Sequence, residues 1–187
     1  IQPHSVSSAG DINGDGLDDL IVGIGFDGPS NEQSGNSFVV FGKNDGNALD
    51  LSQLALNEDV TGFVIKGIPG EDLSGISVSG AGDVNGDGLD DLIVGGFSTS
   101  FVVFGKSDGT AVELSSVLEG NGGFFIQGLS ASDQAGRSVS GAGDVNGDGL
   151  DDLIVGARND DPNGANSGAS FVVFGKADGE IARLADI

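Results

Sequence analysis

The stretch Gly10–Gly23, GDINGDGLDDLIVG, returns almost unchanged at Gly82–Gly95 and again at Gly143–Gly156. In each copy, acidic or amide side chains fall at relative positions one, three, five and nine: Asp11, Asn13, Asp15 and Asp19; Asp83, Asn85, Asp87 and Asp91; Asp144, Asn146, Asp148 and Asp152. On a tightly turning loop this alternation points successive oxygens at one centre. Gly16, Gly88 and Gly149 permit the sharp turn, and the backbone carbonyls of Leu17, Leu89 and Leu150 can add a further oxygen. An all-oxygen set rich in carboxylates suits a hard cation, and Ca²⁺, which takes about six to eight such ligands, suits it better than Mg²⁺. Three calcium sites are expected, one per copy.

An EF-hand loop opens the same way but needs a bidentate carboxylate at position twelve and a helix on each side. Position twelve is here Val22, Val94 and Val155. The residues that follow each loop, Leu-Ile-Val-Gly, form a β-branched run closed by glycine, which signals a strand and is too brief for an exiting helix. Asn-Gly-Asp-Gly also makes hairpin turns without metal. Three carboxylates converging on one point, however, repel strongly unless a cation lies between them.

Thirty-five glycines among 187 residues, together with the internal repetition, argue for stacked units rather than one ordinary domain. The formal net charge of −22 is partly local, since 12 of the 29 acidic residues lie in the three loops. The remaining acidic surface repels nucleic acid and anionic lipid, so neither nucleic acid nor membrane insertion is expected. Cysteine is absent, which leaves calcium as the available staple. Loops of this kind fill where the ion is near millimolar, favouring an extracellular or cell-surface location. A chain that begins at Ile1 and lacks methionine is expected to be a processed or excised part of something longer.

Two further segments recur in step with the loops. Ser-Phe-Val-Val-Phe-Gly-Lys occupies Ser37–Lys43, Ser100–Lys106 and Ser170–Lys176, and Gly-Phe-(Val/Phe)-Ile-x-Gly occupies Gly62–Gly67 and Gly123–Gly128. With Ser-Val-Ser before each loop and Leu-Ile-Val-Gly after it, this predicts four short strands per unit, a propeller-blade arrangement. The units are read as 1–69, 70–130 and 131–187, the third lacking its last strand. Spacings of 72 and 61 residues between Asp11, Asp83 and Asp144 differ mainly because one connection shrinks from 24–36 and 157–169 to 96–99. Phe38 and Phe41, like Phe101 and Phe104 and like Phe171 and Phe174, stand three apart, so each pair faces both sides of its sheet. Lys43, Lys106 and Lys176 read as solvated charges at strand ends.

The three copies of the loop, each followed by Phe-Val-Val-Phe-Gly, resemble the FG-GAP repeats of integrin α-subunit propellers and, more closely, those of bacterial secreted proteins with integrin-like repeats. The resemblance covers almost the whole chain. It implies all-β, antiparallel propeller blades with calcium in the first hairpin of each, held by the residues named above. It further implies that Asp19, Asp91 and Asp152 are the ninth-position ligands and that Asp18, Asp90 and Asp151 face outward, with a role in supporting the ligands from behind left open. Closed propellers have at least about four blades, so three blades fit either a part of a larger propeller or an assembly of copies.

No catalytic constellation competes with this reading. His4 is the only histidine, and the serines have neither a nucleophile elbow nor a base. The expected function is a non-enzymatic, extracellular calcium-binding scaffold for adhesion or self-assembly. Its expected partners are other copies, further repeats of a longer chain, or an extracellular protein or glycan. The alternative is the propeller portion of a larger secreted enzyme whose catalytic domain lies elsewhere.

Overall fold

A computed structural model describes residues 3–27, 34–48, 61–69 and 73–187. The first repeat supplies β1 (Ser5–Gly10), β2 (Asp19–Asp27), β3 (Ser34–Val40) and β4 (Gly62–Lys66). The second supplies β5 (Ser77–Gly82), β6 (Asp91–Gly95), β7 (Thr99–Val103) and β8 (Val112–Glu113), which leads into the single-turn α1 (Leu114–Val117), and then β9 (Gly123–Gln127). From the third come β10 (Ala135–Gly143), β11 (Asp152–Ala157), β12 (Ala169–Val173) and β13 (Ala182–Arg183). Among the described residues the fold is all-β apart from α1 and a closing 3₁₀ turn at Leu184–Asp186. Of the two long connections expected, residues 28–33 lie outside the described residues, while 158–168 form turns.

Each repeat begins a meander of antiparallel strands in sequence order, β1-β2-β3-β4, β5-β6-β7-β9 and β10-β11-β12. Four strands per sheet were expected, and the first two sheets each hold a fifth. β8 of the second repeat pairs in parallel with β4, and β13 of the third pairs in parallel with β9. Both are two-residue segments that come after the Phe-Gly-Lys turn and reach back to the preceding sheet. Leu114, Val117 and Leu184, just beyond them, are buried between sheets, so this strap is anchored by apolar burial rather than by its two ladder positions. Among the described residues the third sheet has only its three strands.

The sheets stack face to face in order, β5 against β1 and β2, and β10 against β5, β6 and β7. One core joins the first and second sheets through Ile12, Ile21, Val39 and Phe41 on one side and Val78, Leu92, Val94 and Phe101 on the other. A second core joins Val84, Ile93, Val102 and Phe124 to Val139, Leu153, Val155 and Val173. Strand burial follows from this stacking. Every residue of β6 is buried, because the second sheet is covered on both faces, whereas burial alternates along β1 and β12, each on a sheet covered on one face.

The phenylalanine pairs behave as their spacing predicts. Phe101 enters the first core while Phe104 packs on the second, edge-on to Phe124 with ring centroids 6.1 Å apart. The lysines do not. Lys106 Nζ lies 5.1 Å from the Phe63 ring centroid and Lys176 Nζ 4.7 Å from that of Phe124, each across a sheet boundary. A strand-end charge becomes an inter-sheet contact because the Phe-Gly-Lys turn of one sheet overhangs the aromatic strand of the sheet before it. Phe101→Ala should therefore lower unfolding free energy by about 3–5 kcal/mol. Phe174→Ala, at an exposed position, should change it by under about 1 kcal/mol. Urea denaturation of the two variants checks the contrast.

Candidate metal centre

Each loop closes the hairpin between the first and second strands of its sheet. Its backbone winds around the first aspartate. Asp11 Oδ1 accepts N–H groups from Gly14 and Asp15 at 2.8 and 3.0 Å, and Oδ2 accepts that of Gly16 at 2.9 Å. Asp83 and Asp144 accept the corresponding three groups in their own loops. The fifth-position aspartate caps the exit, Leu17 N–H donating to Asp15 Oδ1 at 2.9 Å. Asn13 accepts Asp15 N–H through Oδ1 and donates from Nδ2 to Asp15 Oδ2. The loop is thus folded around its own oxygens, and Gly14 and Gly16 take the positive φ values, +76° and +86°, that the winding requires.

The ninth-position aspartate sits elsewhere, beneath the loop. Asp19, Asp91 and Asp152 are fully buried. Asp19 accepts Ile12 N–H on Oδ2 at 3.0 Å and Gly42 N–H on Oδ1 at 2.7 Å. Asp91 does the same with Val84 and Gly105, and Asp152 with Val145 and Gly175. One carboxylate therefore ties the loop to the end of the Phe-Val-Val-Phe-Gly strand. That glycine has no side-chain alternative. A Cβ on Gly42 would fall 2.7 Å from the Asp18 carbonyl oxygen, and on Gly105 2.5 Å from that of Asp90. Sequence reasoning used this strand only as a core element, although the glycine stands at the same place in all three repeats.

Burial holds the Asp19 carboxyl above the ordinary carboxylate range, against the lowering by its two backbone donors, and the nearby charges of Asp15 and Asp11 raise it further. The same causes push Asp91 up to about 7, with Asp87 and Asp83 as the like charges. First-, fifth- and ninth-position carboxylates of one loop are thus close enough to repel one another. Among the described residues, no three acidic, histidine or cysteine side chains form a ready-made cage. The donor chemistry nonetheless fits a hard cation. The expected set includes an amide and a backbone carbonyl as well as carboxylates, and a cation would relieve the repulsion on a buried acid.

Two of the three eighth-position aspartates take the supporting role left open for them and do not face outward. Asp90 Oδ2 accepts the N–H of Asp11 at 2.7 Å, and Asp151 Oδ2 accepts that of Asp83 at 3.0 Å. Each acts on the first aspartate of the preceding repeat's loop, a relation that spacing within one loop does not reveal. Asp18 is exposed.

A family model described as FG-GAP repeat matches residues 3–40 and 135–173. This chain carries FG-GAP repeats. Residues 80–95, between the two matches, repeat the loop and strand of the third copy residue for residue. Integrin alpha-7 of Mus musculus is 35% identical over 154 residues, covering 80% of this chain and 12% of that protein. Integrin alpha-3 of Cricetulus griseus is 28% identical over 160 residues, covering 83% of this chain and 14% of that protein. Integrin alpha-PS2 of Drosophila melanogaster is 29% identical over 163 residues, covering 81% and 11%. The FG-GAP chain thus spans a small fraction of the length of the curated relatives it matches.

The raised Asp91 carboxyl sets a pH dependence. In cation-free buffer the unfolded chain releases this proton near pH 4 and the folded chain only near 7. The folded state binds more protons between the two, so this group's contribution to stability falls as pH rises through that window. Thermal melts in EDTA between pH 4 and 7.5 should show this fall reduced in Asp91→Asn.

Proposed function

We propose that the chain is an extracellular or cell-surface scaffold of calcium-loaded FG-GAP blades, read as 1–69, 70–130 and 131–187, that serves protein–protein adhesion or self-assembly and performs no catalysis. The observation that carries this reading is the buried ninth-position aspartate, repeated three times at the meeting of loop and Phe-Gly strand. A buried, mutually repelled carboxylate is costly alone and well placed beside a divalent cation. On this reading Ca²⁺ is held in the first loop by Asp11, Asn13, Asp15, the Leu17 carbonyl and Asp19. Asp83, Asn85, Asp87, Leu89 and Asp91 hold a second ion, and Asp144, Asn146, Asp148, Leu150 and Asp152 a third.

The ion's contribution is electrostatic and mechanical. It neutralises the loop carboxylates and rigidifies the hairpin from which each sheet starts, fixing how sheets stack. The likeness to integrin α-subunits supports an adhesive role, and the acidic surface supports a protein or glycan partner over an anionic one. Among the described residues no helix is long and apolar enough to cross a membrane.

Calcium removal should lower the melting temperature. With dissociation constants near ~0.1 mM and millimolar calcium, each site contributes roughly 1–2 kcal/mol by linkage. Equal melting temperatures in excess EDTA and in calcium would sink the reading. Asp87→Ala should reduce the number of bound calcium ions by one, while Asp90→Ala should leave that number unchanged; titration calorimetry or metal analysis of the dialysed protein decides.

A further inference from the structure

The eighth residue of each loop has no place among the expected ligands, yet two of the three grip the loop of the repeat before. Asp90 Oδ2 accepts the Asp11 N–H at 2.7 Å, and the Asp90 N–H donates to the Asp11 carbonyl at 3.3 Å. Asp151 brackets Asp83 in the same way, at 3.0 and 3.1 Å. One residue thus holds both backbone polar groups of the aspartate around which the preceding loop winds. Gly10 and Gly82 make this approach possible. They take φ values of +72° and +74°, and a Cβ there would fall 2.1 Å from Asp90 Oδ2 and 1.9 Å from Asp151 Oδ2.

The seventh residue reaches across as well. A Cβ on Gly14 would meet Leu89 Cδ2 at 3.0 Å, and one on Gly86 would meet Leu150 Cδ2 at 2.9 Å, so each leucine side chain lies against the preceding loop. The turn after the aromatic strand is shared too: Gly105 N–H donates to Asp91 Oδ1 at 2.8 Å, while Lys106 N–H donates to the Ile12 carbonyl at 2.9 Å. In the second loop the Leu89 carbonyl and the Asp91 carboxylate are assigned above to that loop's own ion. Asp90, between them, holds Asp11, which is assigned to the first. Only planar peptide units separate these three residues, so backbone that fixes two ligands of one site also fixes the clamp on the next.

We propose that Asp90 and Asp151 are positioning residues for the cation loop of the preceding repeat, so that adjacent loops fill cooperatively. The proposal rests on the calcium reading given above. An Asp11 whose N–H and carbonyl are both held presents its carboxylate in one direction and loses less freedom when an ion arrives. Filling of the second loop orders residues 89–91 and, with them, the clamp on the first. Linkage is reciprocal, so filling of the first loop strengthens the second by the same factor. The third loop stands to the second, through Asp151 and Leu150, as the second stands to the first.

The displacement of the effect by one loop gives the test. The amides of Gly16, Gly88 and Gly149 each donate to the first aspartate of their own loop, so their NMR signals in a calcium titration report the three loops separately. Asp90→Ala should weaken calcium binding most at the first loop, by about tenfold, the effect of one charge-assisted hydrogen bond, and Asp90→Asn, which keeps an acceptor, should restore most of it. Asp151→Ala should move the largest loss to the second loop. Asp18→Ala, at an exposed position, should leave all three signals as they were. Emptying the second loop with Asp87→Ala should weaken the first about fivefold, and should have no such effect once Asp90 is replaced by alanine. Dispersion of the amide spectrum checks the fold; where a variant unfolds without calcium, the rate at which each loop of the loaded protein releases calcium into EDTA gives the same comparison. Equal losses at all three loops, or a loss confined to the second in Asp90→Ala, overturn the proposal, as does an effect of Asp87→Ala that persists without Asp90. Glycine signals that ignore calcium in the unaltered chain defeat the calcium reading and the proposal together.

Discussion

Everything in this chain turns on a buried carboxylate that accepts two backbone N–H groups from segments more than a turn apart. Asp19 joins Ile12 to Gly42, a loop to the end of the third strand, and its counterparts do the same in the other repeats. Burying an ionised acid is unfavourable by several kcal/mol unless hydrogen bonds and a counter-charge offset it. Two N–H donors meet only part of that demand, as the raised Asp19 and Asp91 carboxyls show. The remainder is met by a proton on the carboxyl or by positive charge beside it. Since the same carboxylate also locks the strand order of its sheet, whatever satisfies it stabilises the fold and the loop together.

The second constraint is the joint between sheets. Its apolar part is ordinary in chemistry, valine, isoleucine, leucine and phenylalanine, and it gains its specificity from polar contacts at the loop end. Asp90 and Asp151 reach across to the very residue that opens the preceding loop, and Lys106 and Lys176 lie over the preceding sheet's phenylalanine rings. The strap formed by β8 and α1, and by β13 and its 3₁₀ turn, adds Leu114, Val117 and Leu184 beneath the outer strands. Sheets in such an array are therefore not interchangeable slabs that slide on an oily face. Hydrogen bonds at the loops fix their register.

Much of this was legible in the residues because a period-two strand pattern and a metal-type loop are both local signals. The strand positions, the three hairpin loops and the opposed phenylalanines all arise from spacing within one repeat. What escaped was non-local. Asp90 looks like a surface acid until the preceding loop is placed beside it, 79 residues away in sequence. The fifth strands escaped because two residues, Val112–Glu113 or Ala182–Arg183, carry no strand signal of their own and are held in place by the buried leucines and valine just after them. Gly42, Gly105 and Gly175 were visible as a pattern, but the backbone they must clear belongs to a segment that only the folded hairpin brings near.

The near-identity of the three copies gives the exposures their meaning. Residue type is held constant at Ile21, Ile93 and Ile154, and at Phe41, Phe104 and Phe174, yet the last of each set stands open while the first is buried. Sequence chemistry therefore cannot be the cause of the difference; position in the stack is. A lone exposed valine is ordinary on a protein surface. A set of exposed residues whose equivalents form a dry core twice in the same chain owes its exposure to its place in the stack and not to its own chemistry.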